Sequence, residues 1–181
     1  MHVYLIGYRG SGKSTIGRLL AVQLGVPHMD SDDLIESQAG QTIKEIFASE
    51  GEAGFRDRES RVIEELAQSG RNSTTIDAVV SLGGGAILRE SNREQLRSSG
   101  KCVWLTARPE VLFDRIKRDV TTASRRPALS ALSDFDEVVK MTAAREPLYR
   151  ELSEKSVDVE HQSAETIAGE LARTIRATGS I

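Results

Sequence analysis

Residues 7–14 read GYRGSGKS and satisfy the pattern G-x-x-x-x-G-K-[ST] through Gly7, Gly12, Lys13 and Ser14. No other stretch constrains the fold as strongly. VYLIG (3–7) is a buried-strand pattern, and KSTIGRLLAVQLG (13–25) has helical apolar spacing and ends at Gly25. The motif therefore lies between a strand and a helix, the context its chemistry requires. Glycines let the backbone curl until several N–H groups point at one place, and the helix N-terminus adds partial positive charge there. Lys13 is placed to neutralise the β- and γ-phosphates of a nucleotide, and Ser14 offers a hydroxyl to Mg²⁺. An ordinary glycine loop capping a helix is the plainer alternative. The chain has no N-K-x-D base-reading motif, so ATP is expected rather than GTP.

Strand-like and helix-like segments alternate from there on. PHMDSD (27–32), DAVVSLGGG (77–85), KCVWLTA (101–107) and SVDVE (156–160) read as four further strands. Helical patterns cover EAGFRDRESRVIEELAQSG (52–70), RPEVLFDRIKR (108–118), about 134–152, and AETIAGELARTIRA (164–177). Thr42 with Glu45, and Ser91 with Glu94, have capping-box spacing, and Pro109 suits a helix start. Such alternation predicts an α/β fold with a central parallel five-stranded sheet flanked by helices. Ligands of such sheets bind at the carboxyl ends of the strands, where Gly7–Ser14, Asp30 with Asp32, and Gly83–Gly85 all fall.

A length of 181 residues suits a single domain, 1–181, with a real core. No segment approaches the roughly 18 apolar residues of a membrane span. Strand-like sequence from His2 leaves no room for a signal peptide, so a cytoplasmic enzyme without membrane or nucleic-acid partners is expected, acting as a monomer. A net charge of −3 gives no reason to propose either partner. Cys102, the single cysteine, reads as a small buried hydrophobe.

The acceptor side is less explicit. Asp30 and Asp32 would point the same way if the chain stays extended. One carboxylate could then serve Mg²⁺ and the other a substrate hydroxyl. A helix N-cap cluster explains the same residues, and Asp33 is assigned to capping. Arg56, Arg58 and Glu59 lie in an amphipathic helix, where a solvated arginine is the plain reading. Gly83, Gly84 and Gly85 permit close approach of a ligand or form a flexible turn. Arg145 precedes Tyr149 by one helical turn. Two arginines with glycine N–H groups would suit a small carboxylate, because a guanidinium meets it with two parallel hydrogen bonds. Residues 119–133 are polar and small, and carry Arg125 and Arg126. They read as a surface loop, or as a lid that excludes water and brings an arginine to the transferring phosphate.

Taken together, GYRGSGKSTIG, DSD (30–32), FRDRE (55–59), SLGGG (81–85), RPAL (126–129) and REPLYRE (145–151) resemble the shikimate kinase family over nearly the whole chain. The resemblance implies a P-loop kinase of the nucleoside-monophosphate-kinase type, with a substrate-binding region near 31–60 and a lid near 119–133. It implies transfer of a phosphoryl group from ATP to shikimate, giving shikimate 3-phosphate in aromatic amino-acid biosynthesis. Gly10, Ser11, Gly12, Lys13, Ser14 and Thr15 would hold the nucleotide, with Arg118 beside the adenine and Arg126 on the phosphates. Ser14 and Asp30 would serve Mg²⁺. Asp32 would bind the hydroxyl as candidate base. Arg56 and Arg145 would grip the carboxylate with Gly83, Gly84 and Gly85, and Glu59 would hold that region in place. Lys13, Asp32 and Arg126 form the implied catalytic set. The family lid usually reads R-P-L-L, whereas this chain has Ala128. Glu160–Ser163 matches no familiar adenine-loop pattern. A kinase of another polyol acid, such as gluconate, shares the phosphate loop and lid, and a non-catalytic nucleotide-binding protein shares the fold.

Overall fold

The computed structural model describes residues 1–71, 75–118 and 134–178. The strands are β1 (His2–Ile6), β2 (His28–Asp30), β3 (Ala78–Ser81), β4 (Gly100–Thr106) and β5 (Lys155–Asp158). The helices are α1 (Lys13–Leu24), α2 (Ser31–Ala39), α3 (Ile43–Gly70), α4 (Glu90–Ser99), α5 (Pro109–Arg118), α6 (Asp134–Leu152) and α7 (Ala164–Thr178). All strand pairs are parallel, in the order β2-β3-β1-β4-β5. β1 is central, pairing His2 with Ala78 on one side and with Gly100 on the other.

Every residue of β1 is buried, as a strand covered on both faces must be. Its side chains alternate between two cores. Val3 and Leu5 join Ile16, Leu20, Ile167 and Leu171 under α1 and α7. Tyr4 and Ile6 join Phe55, Ile63, Leu96, Trp104 and Tyr149 under the helices of the opposite face. Cys102 belongs to that second core, where burial pushes its thiol up to about 12. It is the inert hydrophobe the sequence suggests. No helix among the described residues is long and apolar enough to cross a membrane.

Local chemistry explains most element ends. The Thr42 and Glu45 capping box forms, with the Glu45 N–H donating to Thr42 Oγ1 at 3.3 Å and the Thr42 N–H to Glu45 Oε2 at 2.7 Å. Gly51, at φ 69° and ψ −173°, breaks α3 into a segment packed through Ile43 and Ile46 and a second one carrying Arg56. Two expectations need correction. The chain turns into α2 directly after Asp30, whose carboxylate caps that helix by accepting the Asp32 N–H at 3.0 Å. Asp30 is therefore the cap, and Asp33 lies in the first turn. The Ser91 and Glu94 box does not open α4. That helix starts at Glu90, because Asn92 and Arg93 turn inward and donate to the carbonyls of Ala86, Ile87 and Leu88.

Candidate active site

The phosphate loop runs from Gly7 to Ser14, between β1 and α1. Gly7 has φ 142° and lies against the Leu105 carbonyl, and Gly12 has φ 86° at the N-cap of α1. These are backbone shapes that L side chains avoid, so the loop requires its glycines. Ser11 is fully buried, Gly12, Lys13 and Ser14 are partly exposed, and Thr15 is exposed. Gly10 packs against α5. Lys13 Nζ donates to the carbonyls of Gly7 and Tyr8 at 2.9 Å each. The ammonium is thus held over the loop where phosphate oxygens would arrive. Ser14 Oγ donates to Asp30 Oδ2 at 2.7 Å, bringing together the two residues the sequence nominates for Mg²⁺. Hydroxyl and carboxylate oxygens are the hard donors that Mg²⁺ prefers, and the phosphate cradle lies beside them. The pair fits the ion.

The turn after β3 abuts this loop. A Cβ on Gly84 would lie 3.5 Å from both the Gly7 carbonyl oxygen and the Arg9 amide nitrogen. The two arginines named from sequence meet at the same turn. Arg56, on α3, lays its guanidinium on Gly85, and Arg145, on α6, donates from Nη1 to the Gly84 carbonyl at 3.2 Å. Both are buried, Arg56 at 7% and Arg145 at 8% exposure. That overturns the plain reading of Arg56 as a solvated surface residue. It bonds to buried Glu59 at 2.7 Å and to the more exposed Glu52 at 3.3 Å. Among the described residues no carboxylate pairs with Arg145. Its other partners are Met141 Sδ at 3.8 Å and the Tyr8 ring, 5.6 Å from Cζ. A buried guanidinium with so little counter-charge is costly by itself and is suited to an incoming anion.

Supports of this site escape sequence reading. Ser31, fully buried, accepts the Gly83 N–H at 2.9 Å and ties the Asp30–Asp32 corner to the glycine turn. The Gly83 donor is thus engaged within the protein. Arg89 donates to the Arg56 carbonyl and to Ser60, and forms an ion pair with Asp57 at 2.7 Å. Arg9, in the phosphate loop, reaches buried Glu137 on α6 at 3.3 Å. Only the polar cluster Arg89, Asn92 and Arg93 after the glycine run could have hinted at such bracing. Arg118 is exposed at the end of α5. The Glu160–Ser163 segment is anchored nearby, through Arg108 to Glu160 at 2.8 Å and Arg115 to the Val159 carbonyl at 2.6 Å. Arg126, Ala128 and the expected lid lie outside the described residues.

The model of one protein family, described as shikimate kinase, matches residues 9–176. A curated shikimate kinase of Rhodopirellula baltica is 48% identical over 172 residues, covering 95% of this chain and 89% of that protein. The chain belongs to the shikimate kinase family. A shikimate kinase of Symbiobacterium thermophilum is 40% identical, covering 99% of this chain and 98% of its own. Among solved structures, shikimate kinase from Acinetobacter baumannii in complex with shikimate superposes with a TM-score of 0.86 at 35% identity, covering 97% of this chain and 93% of the other. The family membership confirms the P-loop kinase architecture.

Proposed function

We propose that the chain transfers the γ-phosphoryl group of ATP to a ring hydroxyl of shikimate, releasing ADP and shikimate 3-phosphate, in aromatic amino-acid biosynthesis. The observation that carries the reading is the position of Arg145 and Arg56. Two buried guanidinium groups flank one glycine turn, and that turn touches the phosphate loop. A carboxylate held there leaves the acid's ring between the arginines and the loop.

The roles follow from this arrangement. Gly10, Ser11, Gly12, Lys13, Ser14 and Thr15 hold the nucleotide's phosphates, with Arg118 at the adenine side. Ser14 and Asp30 would hold Mg²⁺, which offsets charge on the β- and γ-phosphates when bound. Arg56 and Arg145 fix the carboxylate at Gly83, Gly84 and Gly85, so only one region of the ring faces the loop. Asp32 orients the hydroxyl. The shikimate hydroxyl oxygen bonds to the γ-phosphorus while the bond from that phosphorus to the β–γ bridging oxygen breaks and ADP leaves, and the hydroxyl proton passes to Asp32. A loose transition state needs little base assistance, so orientation is the larger contribution. Arg126, carried by a lid over residues 119–133, stabilises the transferring group. The enzyme acts as a single-domain cytoplasmic monomer, with residues 31–60 as its substrate-binding region.

The test is ADP release measured with purified protein over a panel of hydroxy acids. Turnover with shikimate and not with gluconate is expected. A preference for gluconate, or nucleotide binding with no acceptor phosphorylated, overturns the reading.

A further inference from the structure

The Gly84 carbonyl receives two donors. Tyr149 Oη donates at 2.6 Å, and Arg145 Nη1 at 3.2 Å. Tyr149 is 2% exposed, and its ring stacks on Trp104 with centroids 5.9 Å apart. The phenol is therefore fixed from both ends, by ring stacking and by its hydrogen bond. A buried carbonyl needs one good donor, and losing its last one is expensive. The shorter bond already satisfies Gly84, so the longer one is dispensable.

We propose that Tyr149 is a positioning residue that frees Arg145 for the substrate, by keeping the Gly84 carbonyl satisfied when Arg145 turns to the incoming carboxylate. The inference rests on the proposed role of Arg145. Without the phenol, Arg145 would be the carbonyl's remaining donor of this pair. Each acid bound would then leave a buried oxygen orphaned, and the penalty would fall on acid binding alone. ATP binds on the loop side and does not call on this bond. The chemical step, once the acid is seated, is the same.

The experiment compares wild type with Tyr149→Phe, which keeps the stacked ring and removes the hydroxyl. The shikimate KM is expected to rise roughly tenfold, with the ATP KM unchanged and kcat within about threefold. An unchanged shikimate KM, or an equal rise in both KM values, overturns the proposal. A purely structural role for the hydroxyl would lower stability without this split. A structure of the wild-type enzyme with shikimate supplies a second measurement that does not depend on the variant folding. The Tyr149–Gly84 bond should persist while the Arg145–Gly84 bond is lost. Retention of both with the acid bound overturns the proposal. Failure of wild type to phosphorylate shikimate would instead sink the functional reading on which it rests.

Discussion

The guanidinium of Arg56 occupies the space where a side chain on Gly85 would begin. A methyl group at position 85 would sit 2.5 Å from Nη2 and 2.6 Å from Cζ. The constraint is one of space. Gly85 is absent from the positive-φ glycines of the chain, so its backbone would tolerate a side chain that its neighbour does not. Gly85→Ala is expected to push Arg56 off its seat and raise the shikimate KM at least tenfold. Far-UV circular dichroism should be unchanged and the ATP KM nearly so, and steady-state kinetics with each substrate varied in turn decides it.

Arg56→Lys keeps the charge and removes the planar fork. A point-like ammonium cannot make two parallel bonds to a carboxylate while also holding buried Glu59. The shikimate KM should rise strongly, with ATP affinity measured by calorimetry close to wild type. An equal loss of ATP affinity would contradict a carboxylate role for this residue.

Lys13→Ala removes the ammonium held over the loop carbonyls. Beside the transferring phosphate, loss of one such charge is worth about a hundredfold or more in kcat. Single-turnover kinetics with saturating ATP and shikimate should show this loss in the chemical step.

Ser31→Ala leaves the buried Gly83 N–H without its hydroxyl acceptor, at a cost of about 2 kcal/mol. For a chain of this size that is roughly 6 °C in Tm. Ser31→Thr, which restores a hydroxyl, should recover most of it. Thermal melts of the three proteins are the check.

Stability should also fall in mild acid. Burial holds the His2 and His28 imidazoles below their ordinary 6.5, helped by the N-terminal ammonium beside His2 and by Arg18 near His28. The unfolded chain then binds more protons than the folded one below about pH 6.5, so stability declines as the pH drops through that value. Tm measured from pH 8 to 5 should show this decline. It should be shallower in His2→Gln, which cannot take up the proton.

Much of the fold was legible in the sequence because it is written locally. The phosphate loop, the Thr42 and Glu45 cap, and the alternation of strands with helices each depend on neighbours a few residues away. The corner at Asp30 was not, since strand and helix compete there and the Asp30 carboxylate decides by closing on the Asp32 amide. The Ser91 and Glu94 pair had the right spacing but lost to Asn92 and Arg93, whose partners come from the loop before the helix. Arg56 shows the same limit within the site. Its sequence context is amphipathic, and the glycine turn that packs on its guanidinium at Gly85 comes from a distant part of the chain. Ser31, Tyr149 and Glu137 act through partners between 52 and 128 positions away, a distance no local pattern spans.

The strand order has a consequence for how such enzymes diversify. The loop proposed to grip the nucleotide hangs from the middle strand, whereas α3 and α6, which carry Arg56 and Arg145, lie in connections to the edge strands β2 and β5. On the proposed assignment, changes around Arg56 and Arg145 would retune which acid is held while the phosphate loop, hung from a different strand, stays in place.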